Sequence, residues 1–456
     1  MTIKVLNITH QHGKSDLTSS LWAFYGVTQV DEGNYAEAVA SVKQALVFIE
    51  AYQLCREASN SINLSANLVL FLNDPYEQVI ATHQRGYEIG LENGELTRSR
   101  VNRINALMLI GRKGCNLTKV QHKAKSVLNS ERGISFSSPV TLLELKTAEE
   151  LSSPTERSVH ALDDDLFPEN VIKTVRKGVF YTLFLQYRLQ LAYYYQDHPL
   201  AIALGKEVYR KIDGTLRNSL FLDYLTLFGL SLIRHYRDAS PEEKHQLAYC
   251  LDQLENYAAF CPENFEHKYL LLLAEKRRCQ QAPMEETALL YQQAIKSTKV
   301  RGFLQYDALA NELFAEYWFS VGLDLNGGMY IQQALILYQQ WGCQVKVNYL
   351  HRTYGKYLTT ESPDLSSSHH SSLTSDTTSL PQHPHTHSRE QSGLDYDSVI
   401  KSTHVISSVL DIKKFAAKVL GVIVENIGAR VSARIMNGSE GPRVEATITH
   451  QSEATN

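Results

Sequence analysis

Histidine and cysteine are the side chains in this 456-residue sequence best suited to metal binding, nucleophilic attack or phosphoryl transfer. The six cysteines, Cys55, Cys115, Cys250, Cys261, Cys279 and Cys343, are dispersed, with no CxxC and no paired spacing that fits zinc. Cys250 falls on the apolar side of a helical pattern and reads as packing. Five of the 17 histidines, His369, His370, His383, His385 and His387, crowd into one polar stretch. Its HPHTH run has donors for weak divalent-metal binding, but solvated linker residues are the better account. His404 lies in Thr403-His404-Val405-Ile406, without the adjacent acid that a phospho-acceptor histidine uses, and reads as a surface helix residue. The acid run Asp163–Asp165 has no neighbours to complete a metal or phosphoryl site. Asp197 and His198 follow a helix and read as a cap. GxxxxGK[ST], GxGxxG after a strand, HExxH and GxSxG are absent, and Gly327-Gly328 reads as an inter-helix turn. No catalytic, cofactor-binding or metal-ligating residue is assigned, no cofactor is expected, and the chain reads as non-enzymatic. Ser153-Pro154 and Ser362-Pro363 are candidate proline-directed phosphorylation sites, with Ser362 the more accessible.

Charge narrows the partners. Lys+Arg is 45 and Asp+Glu is 49, so the net charge is −4. A nucleic-acid groove or a polybasic membrane anchor calls for a basic excess. No run approaches the roughly 18–20 apolar residues of a membrane span. The most apolar stretch, FLDYLTLFGLSLI (Phe221–Ile233), is short and interrupted by Asp223. The opening MTIKVLNITHQHGKSD has no apolar core of a secretory signal. These features point to a cytoplasmic protein with reduced thiols, in which the sequons at Asn63 and Asn116 carry no meaning. They also point away from nucleic acid and membrane as partners.

The elements that position these residues fall into four parts: a flexible N-terminus over 1–17, a helical-repeat domain over 18–360, a disordered linker over 361–393 and a C-terminal segment over 394–456. Low glycine and proline counts, 24 and 12, favour long helices. In GNYAEAVASVKQAL, Gly33-Asn34 makes a turn, and Ala38, Val42 and Ala45 fall on one helix face. Small residues at the outer positions admit a neighbouring helix, and the bulky middle one fills the groove. The spacing recurs at Thr287, Tyr291 and Ala294, more loosely at Ala334, Tyr338 and Trp341, and again from Ala201 to Tyr209. This is the small–bulky–small pattern of tetratricopeptide-type hairpins, which stack into an α-solenoid. The 25 tyrosines suit inter-helix grooves, with hydroxyls expected to reach water.

Further helices are expected over Pro75–Glu92, Gly94–Leu109, Val140–Leu151, Val171–Gln196, Leu216–Arg237, Pro241–Phe260 and Glu266–Gln281. The last has an expected buried face of Leu270, Leu273 and Ala274. Ser240-Pro241-Glu242-Glu243 reads as an N-cap, a proline in the first turn and acids facing the dipole. The stretch Ser362–Gln391, rich in Ser, Thr and His, has too few apolar groups to offset its ordering entropy. Tyr396–Leu410 carries a coiled-coil-like stripe, Ile412–Ile427 an amphipathic helix with Gly428 as its C-cap, and Val431–Met436 and Arg443–Ile448 a hairpin turning at Asn437-Gly438.

Several phrases converge on one family. GYEIGLENGEL (86–96), CPENFEHKYLLLLAE (261–275), ALLYQQAIKSTKVRGFLQYDALANELFAEYW (288–318), ALILYQQWGCQVKVNYLHRTYGKYL (334–358) and LDYDSVIKSTHVISSVLDIKKFAAKVLGVIVENIGA (394–429) resemble the helical-repeat region, and the opening of the following GAF sensor domain, of large hybrid signalling kinases. In those proteins a serine/threonine-kinase-like domain and an AAA-type ATPase precede the repeats, and a GAF domain and a histidine kinase follow. The resemblance implies a mostly α fold: a TPR-like solenoid of stacked hairpins, the Ser/His-rich linker, then a helix plus β-hairpin resembling a truncated GAF domain. It implies a signalling scaffold or regulatory segment whose partners are proteins or flanking kinase, ATPase and GAF domains, with a candidate dimer through residues 396–410. The alternative is a fragment of an active phosphorelay kinase whose catalytic domains lie outside this chain. The family's catalytic residues find no matching positions.

Overall fold

The structure, a computed structural model, describes residues 17–52, 57–130, 139–153, 178–212, 217–358, 431–438 and 441–449. Sixteen α-helices occupy the described part of 17–358. Helix α1 (Thr18–Asp31) pairs with α2 (Tyr35–Ala51), and α3 (Ala58–Leu68) with α4 (Tyr76–Glu92) after a 3-10 turn at Leu70–Leu72. Next come α5 (Leu96–Arg112), α6 (Leu117–Ser130) and α7 (Pro139–Leu151). The pairs α8 (Gly178–Tyr194) with α9 (His198–Arg210), α10 (Ser219–Arg234) with α11 (Pro241–Phe260), α12 (Pro262–Cys279) with α13 (Met284–Arg301), and α14 (Leu304–Ser320) with α15 (Asp324–Trp341) lead to α16 (Gln344–Tyr354).

The first helix of each pair stacks on the first helix of the next. The contacts run α1–α3–α5–α7–α8–α10–α12–α14, which is the register of an α-solenoid. Starts at Thr18, Ala58, Leu96, Pro139, Gly178, Ser219, Pro262, Leu304 and Gln344 put the period at about 40 residues, longer than the 34 of a tetratricopeptide unit. The solenoid also touches itself across its winding, α5 against α10 and α7 against α16. Gln305 Nε2 donates to the Arg112 carbonyl (2.5 Å), Lys113 Nζ to the Arg301 carbonyl (2.5 Å) and Asn116 Nδ2 to the Gln340 carbonyl (2.8 Å). The partners lie 193, 188 and 224 residues apart in sequence. Among the described residues the main hydrophobic cluster reaches from Val30 to Leu350, and a second, small cluster groups Phe48, Ile49, Ala58, Ile62 and Ile89.

Local chemistry explains the boundaries. Gly33 takes φ 79° in the turn between α1 and α2, a conformation costly to residues with a Cβ. At Ser240 a complete capping box opens α11: Ser240 Oγ accepts from the Glu243 amide, and Glu243 Oε2 accepts from the Ser240 amide. Pro262 ends α11 and also opens α12, so that helix begins four residues before the expected Glu266. Gly327-Gly328 is no turn: both lie in the first turns of α15, where the missing side chain of Gly327 lets the Phe319 ring lie against the backbone.

The first three inner helices meet through small polar groups. Ser61 Oγ shares hydrogen bonds with Ser19 and Ser20, and Asn102 Nδ2 donates to the Ser59 carbonyl. Asn105 Nδ2 donates to Asn63 Oδ1, and Asn102 Oδ1 meets His83 Nδ1 at 2.8 Å. Gly86 and Gly90 permit this approach, since a Cβ there would collide with Ile62, Asn102, Ser59 and Ser99. Pairing these buried polar atoms avoids most of the desolvation penalty, while His83 Nε2 keeps no hydrogen-bond partner among the described residues.

Separately, β1 (Val431–Gly438) and β2 (Gly441–Thr449) pair antiparallel from Val431 opposite Thr449 to Gly438 opposite Gly441. Asn437 pairs with Pro442, so it lies in the strand and not in the turn expected there. The register shifts by one residue between Arg434 and Ile435. The expectations placed on Asp163–Asp165, the linker with Ser362, the stripe over 396–410, His404 and the helix Ile412–Ile427 fall outside the described residues.

Candidate functional site

The charged residues of the inner helices converge inside the solenoid. Arg112 on α5 reaches Glu144 of α7 (Nη2 to Oε1, 3.3 Å) and Asp223 of α10 (Nε to Oδ2, 3.5 Å). Asp223 Oδ1 also receives Lys268 Nζ of α12 at 2.5 Å and the Tyr306 hydroxyl of α14 at 2.7 Å. The Lys268 ammonium sits 3.5 Å from the centre of the Tyr306 ring, a cation–π contact between two buried side chains. Tyr187 donates to Glu144 Oε1 at 2.6 Å, and Gln190 takes a second Arg112 hydrogen.

Two further clusters repeat the arrangement. Glu316 of α14 accepts Arg234 at 2.6 Å and lies 3.8 Å from Arg278, which also pairs with Glu275 at 3.1 Å. The Tyr291 hydroxyl donates to Glu275. Glu312 binds Lys346 of α16 at 2.5 Å through one oxygen and the Tyr338 hydroxyl at 2.6 Å through the other. Five cations thus meet five carboxylates, and four of those carboxylates each accept a tyrosine hydroxyl. A buried charge is tolerated only when paired and hydrogen-bonded, which this arrangement supplies.

The pKa directions follow the sharing of partners. Burial disfavours the charge of Arg112, yet Glu144, Tyr187 and Asp223 outweigh it and hold the guanidinium above its usual range. Burial raises the Glu144 carboxyl, with Arg112 and the Tyr187 hydroxyl pulling the other way. Burial pushes Lys268 down to about 8 against the pull of Asp223, because Lys268 has one carboxylate and shares it with Arg112. For Glu316 the penalty of burial is overcome by Arg234, and its carboxyl sits below the usual range. Each perturbed group in these clusters is committed to a neighbour within the protein, so the arrangement fixes helices to one another.

The small–bulky–small residues all lie inside. Ala38, Val42, Ala45, Thr287, Tyr291, Ala294, Ala334 and Tyr338 have no exposed surface. Val42 and the Ala38 carbonyl abut Gly26 of α1. The hydroxyls of Tyr291 and Tyr338 do not reach water, contrary to expectation; they end on Glu275 and Glu312. Of the expected α12 face, Ala274 is buried while Leu270 and Leu273 are only half-buried, and the inward side also carries Lys268, Leu271, Leu272 and Glu275. Asp197 caps α9 by accepting from the Leu200 amide. Cys250 is buried, and burial raises its thiol. Ser153 sits half-buried just past α7, its amide donating to the Glu150 carbonyl.

Two open surface crevices, about 510 and 470 Å³, share Gly33, Tyr35 and Phe260 where the start of α2 meets the end of α11. Glu37 is the one carboxylate in their lining, so neither assembles an acid–base pair. Among the described residues no group of three or more His, Cys, Asp or Glu side chains could hold a metal ion, and no helix is long and apolar enough to cross a membrane. Comparison with protein-family models and with curated proteins yields no match.

Proposed function

We infer that this chain is a non-catalytic signalling scaffold, built from the type of helical repeat that couples domains in large hybrid sensor kinases, and that it works in the cytoplasm. The observation that carries the reading is the self-neutralised interior: the charged groups that an enzyme would aim at a substrate are spent on holding repeat to repeat. A stack so fixed transmits position between whatever is attached at its ends and presents its outer faces to proteins. The kinship rests on the phrases shared with the hybrid-kinase repeat region. The sensor end rests on the same phrases, with the antiparallel β1–β2 pair compatible with an opening GAF hairpin. The stripe over 396–410 would dimerise, as such helices do in sensors. Titration of the full chain with a fluorescent ATP analogue is the test. No binding is expected up to millimolar nucleotide, and tight, saturable binding refutes the non-catalytic reading.

A further inference from the structure

Residues 96–130, helices α5 and α6, contain eight lysines and arginines and not one aspartate or glutamate, in a chain of net charge −4. Arg112 belongs to the buried cluster, Lys113 pairs with Glu77 (2.6 Å) and Lys125 with Glu149 (3.0 Å). Helix α6 buries Leu117, Val120, Ala124 and Val127 and turns Lys119, His122, Lys123 and Ser126 to solvent. Among the described residues no ion pair or hydrogen bond engages the Lys119, His122 or Lys123 side chain. Arg103 of α5 extends this face, with its guanidinium on Ser126 Oγ (3.3 Å) and over the Tyr87 ring. Arg100, one turn away and unpaired, continues it. Residues three and four apart are neighbours on a helix, so Lys119, Lys123, Arg103 and Arg100 form one basic strip, about 15 Å long at 1.5 Å per residue.

We propose that this strip on α5 and α6 docks an acidic peptide segment of a partner protein. Five extended residues span about 16 Å, which matches its length and lets successive carboxylates meet the four cations. The large apolar side chain beside the strip is Leu96, exposed one turn from Arg100, and a single leucine is too little to hold the strip in a bilayer. Nor does it offer exposed aromatic rings on which bases could stack, as single-stranded nucleic acid requires. Four cations are fewer than the six to ten phosphate contacts of a typical duplex-binding surface. Docking here deepens the scaffold reading by naming the chemistry of one partner, and it rests on that reading.

The test is fluorescence anisotropy of the full chain with a labelled peptide of five consecutive aspartates. Saturable binding is expected at 50 mM salt, weakening at least tenfold by 300 mM salt. K119E/K123E and R100E should each weaken it at least tenfold, with helicity retained by circular dichroism. K119A/K123A, which adds no repulsion, should also weaken it. K296E/K299E, on the exposed side of α13, should leave it unchanged. Absence of peptide binding, or equal loss in all variants, overturns the proposal. So does tighter binding of oligouridylate or phosphatidylserine vesicles than of the peptide. A gain in peptide affinity on D163N/D164N/D165N would show that the chain's own acid run occupies the strip, and would also overturn it. None of these outcomes bears on ATP binding, so failure here is distinguishable from failure of the scaffold reading.

Discussion

Lys346→Met offers the sharpest test of the interior ion pairs. Lys346 Nζ lies 2.5 Å from Glu312 Oε1, and each side chain is 1% exposed. At that separation and an effective dielectric constant of about 20, their attraction is roughly 6–7 kcal/mol. Removing two ions from water costs several kcal/mol each, so the pair contributes little net stability. The methionine variant keeps the whole cost of burying Glu312 and loses the compensation, leaving the carboxylate with the Tyr338 hydroxyl as its remaining partner. Such single removals cost about 3–5 kcal/mol. With a urea slope of about 3 kcal/mol/M, that lowers the unfolding midpoint by about 1 M or more. E312L/K346M removes both charges and should recover to within about 1–2 kcal/mol of the parent. The four proteins of the cycle are compared by urea unfolding followed by circular dichroism. A single variant within 0.2 M of the parent, or a double variant as unstable as both singles added together, refutes the account.

Other consequences follow from the same packing. His83 is fully buried, and burial lowers its pKa to about 4; His198 is lowered to about 4 as well. The unfolded chain takes up these protons near 6.5, so the associated stability is present above 6.5 and lost as pH falls towards 4, by up to about 3 kcal/mol for His83. The urea midpoint should drop over that window, and H83Q should drop less. Gly205→Ala would drive a Cβ into the Phe228 ring, where it should cost about 1–3 kcal/mol, read as a lower melting temperature with helicity retained at 20 °C. Ser240→Ala removes the capping box of α11 and should cost about 1 kcal/mol by the same urea measurement, without changing the native spectrum.

The helices were legible because their apolar residues recur at helical spacing and their ends carry strong local signals. Ser240-Pro241-Glu242-Glu243 is one such signal, and α11 spans the expected Pro241–Phe260. The interior clusters were not legible, for a physical reason. Periodicity assigns charged residues to solvent, whereas here the partners that permit their burial come from helices far away in sequence. Asp223 lies 45 residues from Lys268 and 83 from Tyr306. Its interruption of Phe221–Ile233 was visible, but nothing local distinguishes a paired buried aspartate from a break in an apolar stretch. The same blindness misplaced the inward face of α12. The basic strip was hidden differently, because a whole-chain charge near zero averages over a 35-residue stretch without an acid.

An open solenoid recognises partners in its groove, and this one has filled its own. Contacts of α5 with α10 and of α7 with α16 bring opposite parts of the winding together, and the buried ions occupy the space between. A peptide entering there would have to break several buried charge pairs, each removal costing about 3–5 kcal/mol, more than a short peptide's contacts return. The docking proposed for α6 uses instead an outward face of that helix, whose inward side holds Leu117, Val120, Ala124 and Val127 and no charge. Substitutions on that outer face should leave the stack undisturbed, whereas substitutions within the ion pairs disturb the stack first.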